Sequence, residues 1–207
     1  MPLHILDHPV AQDALMELRD PRTGSVAFRS ATTRISLLLA TEALREVPTT
    51  TGTVATSHGA AEGHVIDSDV VVVPVLRAGL GMLDAVLALV PAARIGHIGL
   101  QRNESTAVAS TYYAKLPPDI GESFVMVADP MLATGGTAAS AIDLIKASGA
   151  RTICMICIVA APEGVEVMAQ RHPDVALYTP VVDRELSAQK YIVPGVGDFG
   201  DRLHGTG

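Results

Sequence analysis

The chain has 207 residues, 48% of them hydrophobic and 18% charged, with a formal net charge of -7. That length suits one α/β domain with appendages, and the apolar content is ample for a core. The acidic balance, without any Lys/Arg-rich run, argues against a nucleic-acid partner and leaves anion binding to a few placed residues.

Residues 1–48 read as a helical arm: Leu15, Leu18, Ile35, Leu39 and Leu44 recur at helical spacing, interrupted by a turn over residues 21–24. Residues 49–63, rich in Thr, Gly, Ala and Ser, predict an exposed loop to which no role is assigned. The span 65–180 then alternates apolar strands with helices: strands over 70–76, 94–100, 125–129, 153–160 and 175–179, helices over 80–90, 138–148 and 163–171. That order predicts an α/β fold, a parallel twisted sheet flanked by helices. Residues 181–207 end the chain. Their glycines argue against both helix and regular strand, yet Tyr191, Ile192, Val193, Val196, Phe199 and Leu203 are too apolar for a solvated tail. A folded hood over the core is the expectation.

The start, M-P-L-H-I-L-D-H-P-V, has neither the charged opening nor the long apolar core of a signal peptide. The apolar run at 153–161 falls far short of the roughly 18 residues that span a bilayer. Together these predict a cytoplasmic protein with no membrane partner. Cys154 and Cys157 form a C-x-x-C inside that run, but residues three apart on a strand face opposite sides of the sheet. No second pair of ligands with zinc spacing accompanies them, so core cysteines are expected.

The segment V-M-V-A-D-P-M-L-A-T-G-G-T, residues 125–137, carries the chemistry. A buried strand ends at Asp129 and Pro130, and Thr134, Gly135, Gly136 and Thr137 lead into a helix. Two glycines admit an oxyanion close to the backbone, two threonines offer hydroxyls, and the helix start contributes free N–H groups and a positive dipole end. Asp129 puts a carboxylate at the carboxyl end of a buried strand, where open α/β sheets hold ligands. V-P-V-L-R-A-G-L-G, residues 73–81, repeats the strand-to-helix turn and adds Arg77, whose guanidinium suits paired phosphate oxygens. It lacks the third glycine of a dinucleotide fingerprint, and no P-loop motif occurs. Arg102, in L-Q-R-N-E-S-T, stands just past a strand and opens a polar segment long enough for a flap that excludes water. Over residues 191–207, which open on Y-I-V-P-G-V-G-D, a Gly-rich extended backbone would present N–H and C=O groups in close succession, which could match the acceptor, donor, acceptor edge of uracil, whereas cytosine would leave polar groups unpaired.

With Q-R-N-E, V-A-A-P-E-G-V at 159–165 and H-P-D-V-A-L-Y-T at 172–179, these motifs resemble the uracil phosphoribosyltransferase family of type I phosphoribosyltransferases over nearly the whole chain. The apolar Ala128 before a single acid fits that family, where related enzymes carry two adjacent acids. The resemblance implies conversion of uracil and 5-phosphoribosyl diphosphate (PRPP) to UMP and diphosphate, with Mg²⁺ carried by the diphosphate rather than bound directly by the protein. It implies that Arg77, Arg102 and Asp198 contact PRPP, and that Asp129, Pro130, Met131, Leu132, Ala133, Thr134, Gly135, Gly136 and Thr137 hold its ribose 5-phosphate. Asp129, Arg77 and Asp198 would be the catalytic groups. Ile192, Gly197, Asp198 and Phe199 would receive uracil, largely through the main chain. Some relatives respond to GTP, so a GTP effector is among the implied partners, and at least a homodimer is implied. Phe199 stands where the family usually has a small residue, and Gln101 where tyrosine is common. Two alternatives are a transferase for another nucleobase and a nucleotide-sensing, RNA-binding regulator of the same fold.

Overall fold

The computed structural model describes residues 1–102 and 109–206. In chain order the elements are β1 (Leu3–Ile5), α1 (Pro9–Arg19), α2 (Ser25–Ala43), β2 (Thr49–Thr56), β3 (Gly59–Ile66), β4 (Val70–Leu76), α3 (Leu80–Leu89), β5 (Arg94–Ile95), β6 (His97–Arg102) and β7 (Ala109–Lys115). There follow β8 (Phe124–Ala128), β9 (Met131–Leu132), α4 (Gly136–Ala147), β10 (Thr152–Ile156), β11 (Val159–Ala160), α5 (Pro162–Arg171), β12 (Ala176–Thr179), β13 (Glu185–Leu186), β14 (Ile192–Val193) and α6 (Phe199–His204).

The main sheet runs β1-β12-β10-β8-β4-β6-β7, with β5 also on β4, and every pairing is parallel except β6 with β7. Its central strands are buried along their length, which is why they read as unbroken apolar runs. Alternate residues feed two cores. Val70, Val72, Met126 and Ile156 pack with α1, α2 and α3, while Val71, Val73, Val127 and Met155 pack with α4 and α5. Cys154 belongs to the first core and Cys157 to the second, so the sheet separates them; both are free and buried, and burial pushes each thiol up to about 12. No described helix is long and apolar enough to cross a membrane.

Four expectations need correction. Residues 49–66 are not a loop but an antiparallel hairpin, β2 with β3, exposed along nearly its whole length. Thr, Val and alternating small residues extend readily, and the turn at 57–58 reverses the chain; composition had hidden the pairing. The polar stretch after Arg102 includes β7, which pairs back on β6, while the rest of the expected flap, residues 103–108, lies outside the described residues. The run at 153–160 is two strands, because after Ile156 the chain leaves β8 and bonds instead to Pro130, whose carbonyl accepts from the N–H groups of Ile158 and Val159 at 3.0 Å each. The C-terminal segment does contain regular structure: β14 and the short helix α6, started by Asp198, whose side chain accepts the Asp201 N–H at 3.0 Å. Glycine content alone hid a helix that begins with an N-cap and closes at Gly205, φ +71°. β1, a short strand bordering β12, had no signal beyond three residues of mixed polarity.

Candidate active site

β4 and β8 are neighbours, with Val73 opposite Val127 and Pro74 opposite Ala128, so the turns that follow them open side by side. Gly79 makes this possible: a Cβ there would stand 2.3 Å from the Ala128 carbonyl oxygen and 2.6 Å from Val75 N. The turns form a cavity of about 240 Å³ whose wall includes Arg77, Ala78, Asp129, Met131, Thr134, Gly135 and Thr137. Leu132 and Ala133 line it too, whereas Pro130 and Gly136 do not.

Asp129 is buried, and no described cation pairs with it; its carboxylate accepts the Met131 N–H at 3.4 Å. Desolvation is the main effect on it and outweighs that hydrogen bond, pushing the acid up to about 7. A carboxylate in such a position awaits a donor or cation from a ligand. Beside it, α4 follows an N-cap, Gly135, in the left-handed region at φ +78° and with no side chain to cap the helix. The glycines here answer contacts. A Cβ at Gly135 would meet the Gly164 carbonyl oxygen and the Val167 Cβ at 2.9 Å, and one at Gly164 would meet the Ala133 oxygen at 2.5 Å. Gly164 explains the P-E-G-V segment: it lets α5 back the loop directly.

A second cavity, of about 300 Å³, adjoins the first and shares Arg77, Ala78, Met131 and Ala133 with it. Its outer wall is the C-terminal segment: Lys190, Tyr191, Ile192, Gly197, Asp198, Phe199 and Gly200. Thus Ile192, Gly197, Asp198 and Phe199 stand together on the second cavity, and Asp198 lines it rather than the first. Phe199 is almost fully buried, its ring edge-on to Phe28 at 4.9 Å, so the ring anchors the segment to α2. Arg77 is half exposed and donates to Asp201 on α6 at 3.3 Å. Arg102 closes β6 opposite Ala109. Lys190, Tyr191 and Asp201 were not assigned to the site from the sequence, although Tyr191 was among the apolar residues that marked the segment as folded; the positive φ of Lys190, +67°, belongs to a turn no composition rule marks.

A family profile described as uracil phosphoribosyltransferase matches residues 5–206. The chain belongs to the uracil phosphoribosyltransferase family. It is 47% identical over 203 residues to uracil phosphoribosyltransferase of Dictyoglomus thermophilum, covering 98% of each chain. It is 48% identical over 205 residues to that of Natranaerobius thermophilus, covering 99% of this chain and 98% of the relative. Among solved structures, a protein from Aquifex aeolicus superposes with a TM-score of 0.93 at 33% identity, covering 99% of this chain and 98% of that one. Adenine phosphoribosyl transferase of Trypanosoma brucei, TM-score 0.58 at 14% identity over 92% of this chain and 88% of that one, shares the fold. The protein is therefore an α/β enzyme of the type I phosphoribosyltransferase fold.

Proposed function

We propose that the protein transfers a phosphoribosyl group from PRPP to uracil, giving UMP and diphosphate. The observation that carries this reading is the pair of joined cavities, one enclosed by the two strand-to-helix turns with Asp129 and Arg77 and one walled by residues of the C-terminal segment. The Thr134 to Thr137 turn and the α4 start receive the 5′-phosphate, and Asp129 accepts hydrogen bonds from the ribose hydroxyls. Arg77, at the junction, faces the diphosphate, joined by Arg102 and Asp198. Ile192, Gly197, Asp198 and Phe199 receive the base through backbone N–H and C=O groups.

Among the described residues no cluster of three or more His, Cys, Asp or Glu is arranged to hold a metal. Mg²⁺ would arrive on the diphosphate of PRPP rather than on protein ligands and would offset the charge of that leaving group, which Arg77, shared by the two cavities, would face. The chain's own residues do the rest. The anchored phosphate fixes the ribose, Arg77 stabilises charge on the leaving group, and Asp129 stabilises the positive charge that builds at the anomeric carbon. The hood holds the uracil nitrogen in line on the opposite face, so the displacement inverts that carbon, and the proton on that nitrogen is released to the departing diphosphate without a dedicated protein base. A uracil edge is matched where cytosine leaves polar groups unpaired.

The test is a panel of bases incubated with PRPP and Mg²⁺, followed by chromatography for nucleotide products. Uracil consumption with formation of UMP is expected. Consumption of hypoxanthine or guanine with uracil untouched overturns the reading.

A further inference from the structure

The base-facing turn has a frame that begins in the helical arm. Arg19, the last residue of α1, donates from both terminal nitrogens to Asp183, at 2.6 and 2.9 Å, and from one of them to the Gly195 carbonyl at 2.9 Å. Asp183 is buried and also accepts the Gly195 N–H at 2.9 Å. Reaching the other way, Arg202 on α6 donates to the Val196 carbonyl at 2.6 Å and to the carbonyls of Leu18 and Asp20 at 2.5 and 2.6 Å. Its guanidinium lies 4.4 Å above the Phe28 ring. The N–H and C=O of Gly195 and the C=O of Val196 are thus each tied to a charged side chain. The next residues, Gly197, Asp198 and Phe199, are among those lining the base cavity.

Base reading by main-chain groups has a geometric weakness. A side chain that reads a ligand is set by its own rotamer, but a backbone amide points where the neighbouring dihedrals send it. Gly195 and Gly197 sit at φ +61° and +78°, where glycine offers little resistance to rotation. Order must come from outside the turn. We propose that Arg19, Asp183 and Arg202 are positioning residues that fix the orientation of the base-reading amides, making the N-terminal arm part of the base-recognition apparatus. Charge-assisted, bidentate bonds in a buried setting suit this task better than neutral ones. Arg19 cannot be replaced by lysine without losing the fork that spans Asp183 and Gly195 at once. The phosphate cavity shares none of these contacts.

This inference rests on the uracil reading and is tested separately from it. Arg19→Lys and Asp183→Asn are made in the full chain, with steady-state kinetics, PRPP affinity by calorimetry and thermal melting. KM for uracil is expected to rise about tenfold or more, with kcat and PRPP affinity held within about twofold. Asp183→Asn keeps an acceptor for the Gly195 N–H, so its effect is the smaller. An unchanged uracil KM overturns the proposal, as does a parallel loss of uracil and PRPP affinity. If both variants fail to fold, the frame holds the fold rather than the base site, and the proposal falls. Wild-type protein that consumes uracil keeps the functional reading intact in each of these cases.

Discussion

The two cavities meet at four residues but are built in opposite ways. The phosphate-type cavity comes from two short, contiguous stretches, residues 75–78 and 129–138, each a strand end running into a helix. The base-type cavity depends on contacts between distant parts of the chain: Arg19 reaches Gly195 across 176 positions and Arg202 reaches Leu18 across 184. A site made of local turns inherits its shape from backbone geometry and tolerates loss of remote contacts. One assembled from the two ends of the chain depends on how those ends pack.

Removing a charge from the first cavity is the strongest way to probe this contrast. Asp129→Asn is expected to lower kcat by about a hundredfold or more, the scale of removing a preorganised electrostatic partner, with uracil KM little changed. Near wild-type turnover in a steady-state assay would take Asp129 out of the mechanism. Glycine replacement separates the cavities next. At Gly135 an alanine meets both a left-handed φ and backbone at 2.9 Å, a strain of about 1–3 kcal/mol that should weaken PRPP binding about tenfold or more. At Gly197 the same φ of +78° recurs, but the nearest neighbour is the Arg202 Cδ at 3.4 Å. Gly197→Ala should therefore spare PRPP and raise uracil KM. Calorimetry with each substrate distinguishes the two, and equal effects on both substrates would erase the distinction between the sites.

The acid itself predicts a pH dependence. Asp129 titrates near 7 in the folded protein against an ordinary 3.8, because burial penalises its charge. On the proposed role of Asp129 the ribose hydroxyls need the carboxylate, so kcat/KM for PRPP should fall about tenfold per unit below pH 7. Stability runs the other way. Between these two values the folded chain holds a proton that the unfolded chain has released, so the contribution of Asp129 to stability is greatest below about 4 and is lost as pH rises through 7. Asp129→Asn should thus be more stable than wild type at pH 8, by at most about 4 kcal/mol, and the two should converge near pH 4. Melting curves at both values check this; an Asn variant less stable at pH 8 would contradict it.

These contrasts explain what was legible in the sequence. The central strands announced themselves because burial on both faces demands unbroken runs such as V-V-V-V-P-V-L. The strand-to-helix turn at residues 129–138 did so because its glycines, acid and helix start are adjacent in the chain. The hairpin at 49–66 did not: its strands are exposed, so no apolar alternation marks them. Arg19 and Asp183 gave no signal either, because an arginine at a helix end and an aspartate in a loop are ordinary until packing places them together. The apolar residues of the C-terminal segment did reveal that it folds, and Phe199, Val196 and Leu203 join the arm's core, but the helix inside it was masked by glycine.

The residue that joins the cavities offers the mildest test. Arg77 lines both and is held by Asp201 from the hood at 3.3 Å, with both side chains well exposed to solvent. An ion pair of that kind is worth about 0–1 kcal/mol, so its loss cannot shift an equilibrium by more than about fivefold. The sign is informative. An incoming diphosphate must take the guanidinium from Asp201 and also suffers repulsion from that carboxylate. Asp201→Asn should therefore lower KM for PRPP by about two- to fivefold at low salt, with the gain fading as ionic strength rises. A rise in KM would mean instead that Asp201 aims Arg77 at the diphosphate, so that the hood helps to build the phosphate cavity and the separation between the two sites is incomplete.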